Sequence, residues 1–159
     1  MSEIEDRLKS LGLALPAPPA APAGVRLPFA FVRVHGELAY VSGHGPLDGD
    51  RVLATGRVPT EVSVEQAYEA ARATALSMLA SLQRELGDLD RVTGWVKALG
   101  FVNCADSFDA TPAVVNGFSD LILELWGDAG VHARSAIGAS ELPFGMPVEV
   151  EAIVSVRPA

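Results

Sequence analysis

Arg134 stands in a run of small and apolar residues, Ala133-Arg134-Ser135-Ala136-Ile137-Gly138-Ala139, and two carboxylates follow in Val148-Glu149-Val150-Glu151. A guanidinium keeps its proton at any physiological pH and presents a rigid fork of donors that matches a carboxylate. Such an arginine either forms a structural ion pair with Glu149 or Glu151, or lines a pocket for a small anionic ligand. Residues two apart on a strand share a face, so Glu149 and Glu151 lie together. One of them beside an apolar pocket would hold its proton more tightly and could act as a general acid or hold a water. Otherwise the two form an exposed face or pair with the arginine. If residues 132–140 and 148–156 made a plain hairpin, Arg134 would lie opposite roughly residue 154. Spacing alone therefore does not join Arg134 to Glu149.

Other chemistries find less support. Ser42 sits in Val41-Ser42-Gly43 without the Gly-x-Ser-x-Gly elbow of a nucleophile. His35, His44 and His132 are far apart and read as surface or hydrogen-bonded loop residues, so no metal site is expected. Cys104 has no second cysteine, which excludes an internal disulfide and a cysteine-based zinc site. It reads as a small buried hydrophobe at a strand end, with no basic neighbour to activate its thiol. The net charge is −8, and Lys9 and Lys97 are the only lysines. Nucleic-acid binding depends on neutralising phosphates with Lys and Arg, so no nucleic-acid partner is expected. No run of about 18 apolar residues is present, so no membrane-spanning helix is expected. The mixed charges of Met1-Ser-Glu-Ile-Glu-Asp-Arg-Leu-Lys9 are unlike a secretory leader. A soluble cytoplasmic protein follows as the expectation.

The elements that must hold these residues can be read from periodicity. Residues 1–24 form an appendage: a short amphipathic helix over 2–13 with Ile4, Leu8, Leu11 and Leu13 on one side, then a proline-rich arm from Leu15 to Gly24. Residues 25–159 form one domain. Two β runs between Phe29 and Ser42 flank the turn at Gly36-Glu37, with Leu38, Tyr40 and Ser42 on one face and Ala39 and Val41 on the other. A short strand is expected over 52–58. Ser63-Val-Glu-Gln66 is a capping box, opening a helix in which Val64, Ala67, Ala71, Ala75, Met78, Leu82 and Leu86 recur at helical spacing. Residues 91–102 read as a strand with Val92, Val96, Ala98 and Val102 on one face and Trp95, Lys97, Leu99 and Phe101 on the other. Thr111 is the expected N-cap of a second helix, with Pro112 in its first turn. Residues 132–140 and 148–156 are the last strands. This order predicts an α+β fold, one mixed sheet with two long helices on one face. In the last strand Val148, Val150, Ala152, Val154 and Val156 form an apolar face, while Glu149, Glu151, Ile153 and Ser155 form a mixed one. A half-apolar second face calls for water, a ligand or a partner subunit.

From about residue 27 to 157 the chain resembles the RidA/YjgF family of enamine and imine deaminases, and within it a subgroup often labelled "putative endoribonuclease". Tyr40-Val-Ser42-Gly43-His-Gly-Pro46, Val115-Asn116-Gly117, the Arg134-Ser135 pair and the Glu149 strand carry the likeness. The resemblance implies a chorismate-mutase-like fold and a homotrimer with a central barrel and active sites between subunits. It implies that Arg134 clamps a substrate carboxylate and Glu149 positions the attacking water. Ser42 and Asn116 match the family's serine and asparagine at the site. Ala136 replaces the cysteine of the main deaminase group, where a backbone N–H is the chief contribution, and Phe29 replaces a tyrosine. The stretch Ile137-Gly138-Ala139 is also changed.

The expected activity is hydrolysis of small 2-imino or 2-enamine acids to 2-keto acids and ammonia, on a carboxylate-bearing metabolite and without metal or organic cofactor. Two alternatives accompany it: a non-catalytic binding protein for a keto acid or similar metabolite, and a pathway enzyme acting on another carbonyl compound. Ribonuclease activity is disfavoured by the charge.

Overall fold

A computed structural model describes residues 2–158; Met1 and Ala159, the outer limits of the two expected segments, lie outside them. The chain runs α1 (Glu3–Ser10), β1 (Val32–His35), β2 (Leu38–His44), β3 (Leu47–Asp48), β4 (Arg51–Val52), α2 (Val64–Leu86), β5 (Val92–Asn103), α3 (Thr111–Trp126), β6 (Ala133–Ala139) and β7 (Val148–Val156). Helix α2 begins where the capping box places it. Ser63 Oγ accepts from the Gln66 N–H at 3.0 Å, and the Ser63 N–H donates to Gln66 Oε1 at 2.8 Å. The helix stops at Gly87, whose φ of 79° suits glycine. Ala67, Ala71, Ala75, Met78, Leu82 and Leu86 are buried at the expected spacing.

Five strands form one sheet in the order β1-β2-β7-β5-β6. Strands β5 and β6 are parallel, joined through α3, and the other neighbours are antiparallel. The plain hairpin of the last two strands does not form, because β7 inserts between β2 and β5, where both of its edges are paired. Both long helices cover one face. Val148, Val150, Ala152, Val154 and Val156 are buried beneath them, and Glu149, Glu151, Ile153 and Ser155 point to the open face, as the alternation of β7 predicts. The fold is α+β with a mixed sheet, as expected.

Four local readings are corrected. The strand over 52–58 contracts to Arg51–Val52 in a two-stranded ribbon with β3; Gly56, at φ 130°, breaks the extended run, and Val58 keeps one bridge to Cys104. In β5, Trp95 is buried and Val96 is 45 % exposed, the reverse of simple alternation. The register with β7 skips Thr93 and Val96, and each extra residue shifts the phase of those beyond it. Thr111 is not the N-cap of α3: Ala110 is, with no side-chain bond, and the Thr111 hydroxyl donates to the Ala136 carbonyl at 3.1 Å. Helix α1 ends at Ser10, so Leu11 is exposed, whereas Ile4 and Leu8 are buried in the core.

The N-terminal segment is strapped to the rest. The N–H groups of Glu3 and Ile4 donate to the Asp90 carboxylate at 2.7 and 3.0 Å, and Arg84 of α2 donates to the Pro19 carbonyl at 2.7 Å. Among the described residues no helix is long and apolar enough to cross a membrane.

Candidate functional site

Arg134 pairs in register with Ala98 of β5, a helix-facing residue, so its side chain rises toward α3. Nη1 donates to Asn116 Oδ1 at 2.9 Å and to Ser119 Oγ at 3.1 Å, and Nη2 reaches the Pro112 carbonyl at 3.4 Å. Every one of these acceptors is neutral. Among the described residues no carboxylate lies within ion-pair distance of Arg134, so the ion pair with Glu149 or Glu151 is absent. Partial burial pulls the guanidinium pKa below its usual value, and the charge of Asp120 opposes that shift. Both Nη1 protons and one Nη2 proton are engaged. Among the described residues nothing accepts from Nε–H or from the second Nη2 proton, which leaves two donors able to meet a carboxylate. Ala136, two residues on, shares the face of Arg134 and is tied to the start of α3 by Thr111.

Glu149 projects from the other face. It pairs in register with Phe101 and lies over Gly43, where an added Cβ would come within 2.3 Å of Oε1. Gly43 belongs to a bulge. Val41 opposes Ala152 and His44 opposes Val150, so Ser42 and Gly43 together face Glu151. Burial raises the Glu149 pKa above the usual carboxylate range, and the negative charge of Glu151 adds to this. Ser42 Oγ donates to the Ala30 carbonyl at 2.7 Å, fixing the segment that carries Phe29. Phe29 is 54 % exposed and packs edge-on against Phe31 at 5.6 Å. On this open face a cleft of about 320 Å³ is lined by residues that include Arg33, Tyr40, Ser42, Lys97, Leu99, Glu151 and Ile153.

The bulge also corrects the reading of His44. It turns His44 to the helix side, where it is fully buried: Nδ1–H donates to the Ser42 carbonyl at 2.6 Å, and Nε2 accepts from Ser81 Oγ at 2.8 Å. Burial lowers its pKa to about 4, against the Ser42 hydrogen bond and with help from Arg84. His35 is exposed, as expected. Among the described residues no group of His, Cys, Asp and Glu is placed to hold a metal.

The residues singled out from the sequence thus do not form one group. Arg134 and Ala136 face α3, which carries Asn116; Glu149 and Ser42 lie on the opposite side, and Phe29 sits before β1 against Phe31. Phe101 pairs with Ile137 on one flank and Glu149 on the other. Arg134 is therefore two strands across from Glu149 and three residues along, roughly 10 Å in each direction, with the sheet between them. One copy of the chain does not bring the clamp and the carboxylate together. Ser119, Gly43 and His132 escaped the sequence reading as site components. The signal for Ser119 is its place three residues after Asn116, on the same side of the helix.

A family model described as "YjgF/chorismate_mutase-like, putative endoribonuclease" matches residues 5–154. Protein TCP17 of Trypanosoma cruzi is 42 % identical over 155 residues, covering 97 % of this chain and 94 % of its own. Among solved structures, the protein Atu1372 of unknown function from Agrobacterium tumefaciens is 37 % identical with a TM-score of 0.87, over 98 % of this chain and 93 % of its own. A Shewanella oneidensis protein described as a "putative endoribonuclease" is 28 % identical, also with a TM-score of 0.87, over 96 % of this chain and 99 % of its own. With the family model spanning all but the ends and the relatives matching along nearly the whole chain, this protein belongs to the RidA/YjgF family.

Proposed function

We propose that the protein is a homotrimer whose subunits complete one another's sites, and that it hydrolyses small 2-imino and 2-enamine acids to 2-keto acids and ammonia. The observation that carries this reading is Arg134: a partly desolvated guanidinium on edge strand β6, held by neutral acceptors, with two donors unspent and, among the described residues, no carboxylate within ion-pair distance. The open sheet face, with Tyr40 43 % and Ile137 47 % exposed, supplies apolar surface for a subunit to cover. Such docking would bring Glu149 of one subunit to Arg134 of the next.

In this mechanism Arg134 holds the carboxylate of R–C(=NH)–COO⁻ through two charge-assisted hydrogen bonds. Binding orients the imine carbon toward a water on Glu149, a near-attack arrangement. Glu149 takes a proton from the water as the C–O bond forms and passes it to nitrogen, giving the carbinolamine. It then takes the hydroxyl proton and delivers it to nitrogen as the C–N bond breaks and the carbonyl forms. Ammonia leaves, and the 2-keto acid remains. Its raised pKa suits Glu149 to both halves of that exchange.

The test generates imino acids with an amino-acid oxidase in the presence of semicarbazide as trap. Wild type should accelerate keto-acid release, and Arg134→Ala should abolish the acceleration. Arg134→Lys should lose most of it, since a point charge does not replace the fork. Reassociating equal amounts of Arg134→Ala and Glu149→Ala subunits should restore about a quarter of wild-type activity, because one site in four then draws an intact residue from each neighbour. No recovery would refute the shared site. A second reading, a metabolite-binding protein without turnover, draws on Phe29 and Ala136, which offer neither hydroxyl nor thiol. Stabilisation by keto acids with no hydrolysis in the same assay would select it.

A further inference from the structure

The hydrogen bonds behind Arg134 admit one direction. Arginine only donates, so Ser119 Oγ accepts from Nη1 at 3.1 Å. The Gly130 carbonyl only accepts, so His132 Nδ1, 2.7 Å away, carries a proton. In a neutral ring Nε2 is then the acceptor, and it lies 3.0 Å from Ser119 Oγ. The Ser119 hydroxyl must donate to it. The order is Arg134 Nη1–H to Ser119 Oγ–H to His132 Nε2, with His132 Nδ1–H to Gly130.

The surroundings of the ring favour that state. Trp95 of β5 and Phe118 of α3 pack against it at centroid distances of 6.5 and 6.3 Å. Ser119 of α3 and the Gly130 carbonyl meet its nitrogens, and Arg134 of β6 is the charge that bears on it. Asp120, the next residue of α3, bears on Arg134 and accepts a hydrogen bond from Tyr68 at 2.7 Å. Doubly protonated, the ring would aim Nε2–H at Ser119 Oγ, turn the hydroxyl away, and bring a second cation to the oxygen that steadies the first.

We infer that Ser119 and His132 are positioning residues: neutral His132 orients the Ser119 hydroxyl and through it the Arg134 fork, so carboxylate capture at Arg134 requires an unprotonated His132. This rests on the reading of Arg134 as a carboxylate clamp. Burial first, and then Arg134, lower the His132 pKa against the Gly130 hydrogen bond, which keeps the ring neutral near pH 7 and places the loss of capture on the acid side.

The experiment is calorimetric titration of the full chain with pyruvate between pH 8 and 5, each variant first checked for a cooperative melt. Ser119→Ala and His132→Phe should weaken pyruvate binding about tenfold at pH 7.5, the effect of one lost hydrogen bond to a charged group. His132→Gln, whose amide oxygen can stand where Nε2 accepts, should restore affinity at pH 7.5 and flatten the fall that wild type shows toward pH 5. Wild-type affinity in both Ser119→Ala and His132→Phe, with binding lost in Arg134→Ala, overturns the relay and leaves the clamp standing. A wild-type profile unchanged from pH 8 to 5, or a fall of the same size in His132→Gln, also overturns it. Unimpaired binding by Arg134→Ala would instead overturn the clamp itself.

Discussion

Gly43→Ala separates the position of Glu149 from the stability of the fold. The added carbon would lie 2.3 Å from Oε1, 2.9 Å from the carboxyl carbon and 3.2 Å from Cγ of Glu149. Comfortable non-bonded separations are about 3.5 Å, so the carboxylate must move by about 1 Å. What it displaces is the end of a flexible side chain, and φ at Gly43 is not positive, so alanine can adopt the backbone. The stability loss should therefore stay near or below about 1 kcal/mol. Catalysis is less tolerant: a misplacement of about 1 Å can cost on the order of 100-fold in rate, or about 2.7 kcal/mol of barrier. Semicarbazide-trapped imine hydrolysis should show kcat/KM reduced by about that factor, while urea unfolding shows a midpoint close to wild type. Pyruvate affinity, which rests on Arg134, should hardly change. A Gly43→Ala protein that hydrolyses imines at the wild-type rate would show that the placement of Glu149 is immaterial and refute this role for it.

Further outcomes follow from other sites. His44 has a folded pKa of about 4 against a usual value of 6.5, so the unfolded chain binds more protons between those values. Stability should be steady above pH 6.5 and decline by about 3 kcal/mol as pH falls to 4; urea denaturation across that range reads it, and His44→Gln should flatten the slope. Gly117→Ala reverses the sign that helix propensity gives. Alanine in a helix interior is worth about 1 kcal/mol over glycine, but its Cβ would sit 2.0 Å from the Tyr68 backbone oxygen of α2. A net loss of about 2–3 kcal/mol on unfolding is expected from forcing the helices apart. Glu149→Gln should abolish hydrolysis yet raise the melting temperature at neutral pH. The raised pKa means that the fold favours the uncharged form, so stability falls as pH rises through the folded value; an unchanged melt would argue against the burial of that carboxylate.

The capping box of α2, the apolar stripe of both long helices and the two faces of β7 were legible in the residue order, because each depends on neighbours a few positions away along one backbone. Arg134 and Glu149 stood out for the same reason, as charges set among small and apolar residues. Phase was lost wherever a strand carried an extra residue. The bulge at Ser42-Gly43 sends His44 into the core, and the skipped Thr93 and Val96 invert the faces around Trp95. An extra residue can be recognised only against its partner strand, and that partner lies far away in the sequence. Thr111 reads as a cap on local grounds and instead bonds to Ala136 in β6, a competitor visible only once the helix is docked.

By itself, then, the sequence determined the long helices and the long strands, which side of β7 is apolar and which charged residues have chemistry to offer, since backbone periodicity and side-chain type are local properties. The tertiary structure decided that β7 enters between β2 and β5, that Arg134 turns to α3 and finds neutral partners, and that Glu149 lies beyond the sheet from it. Those outcomes depend on pairings between distant segments, because a side chain's face and neighbours are fixed only when its strand takes its place in the sheet.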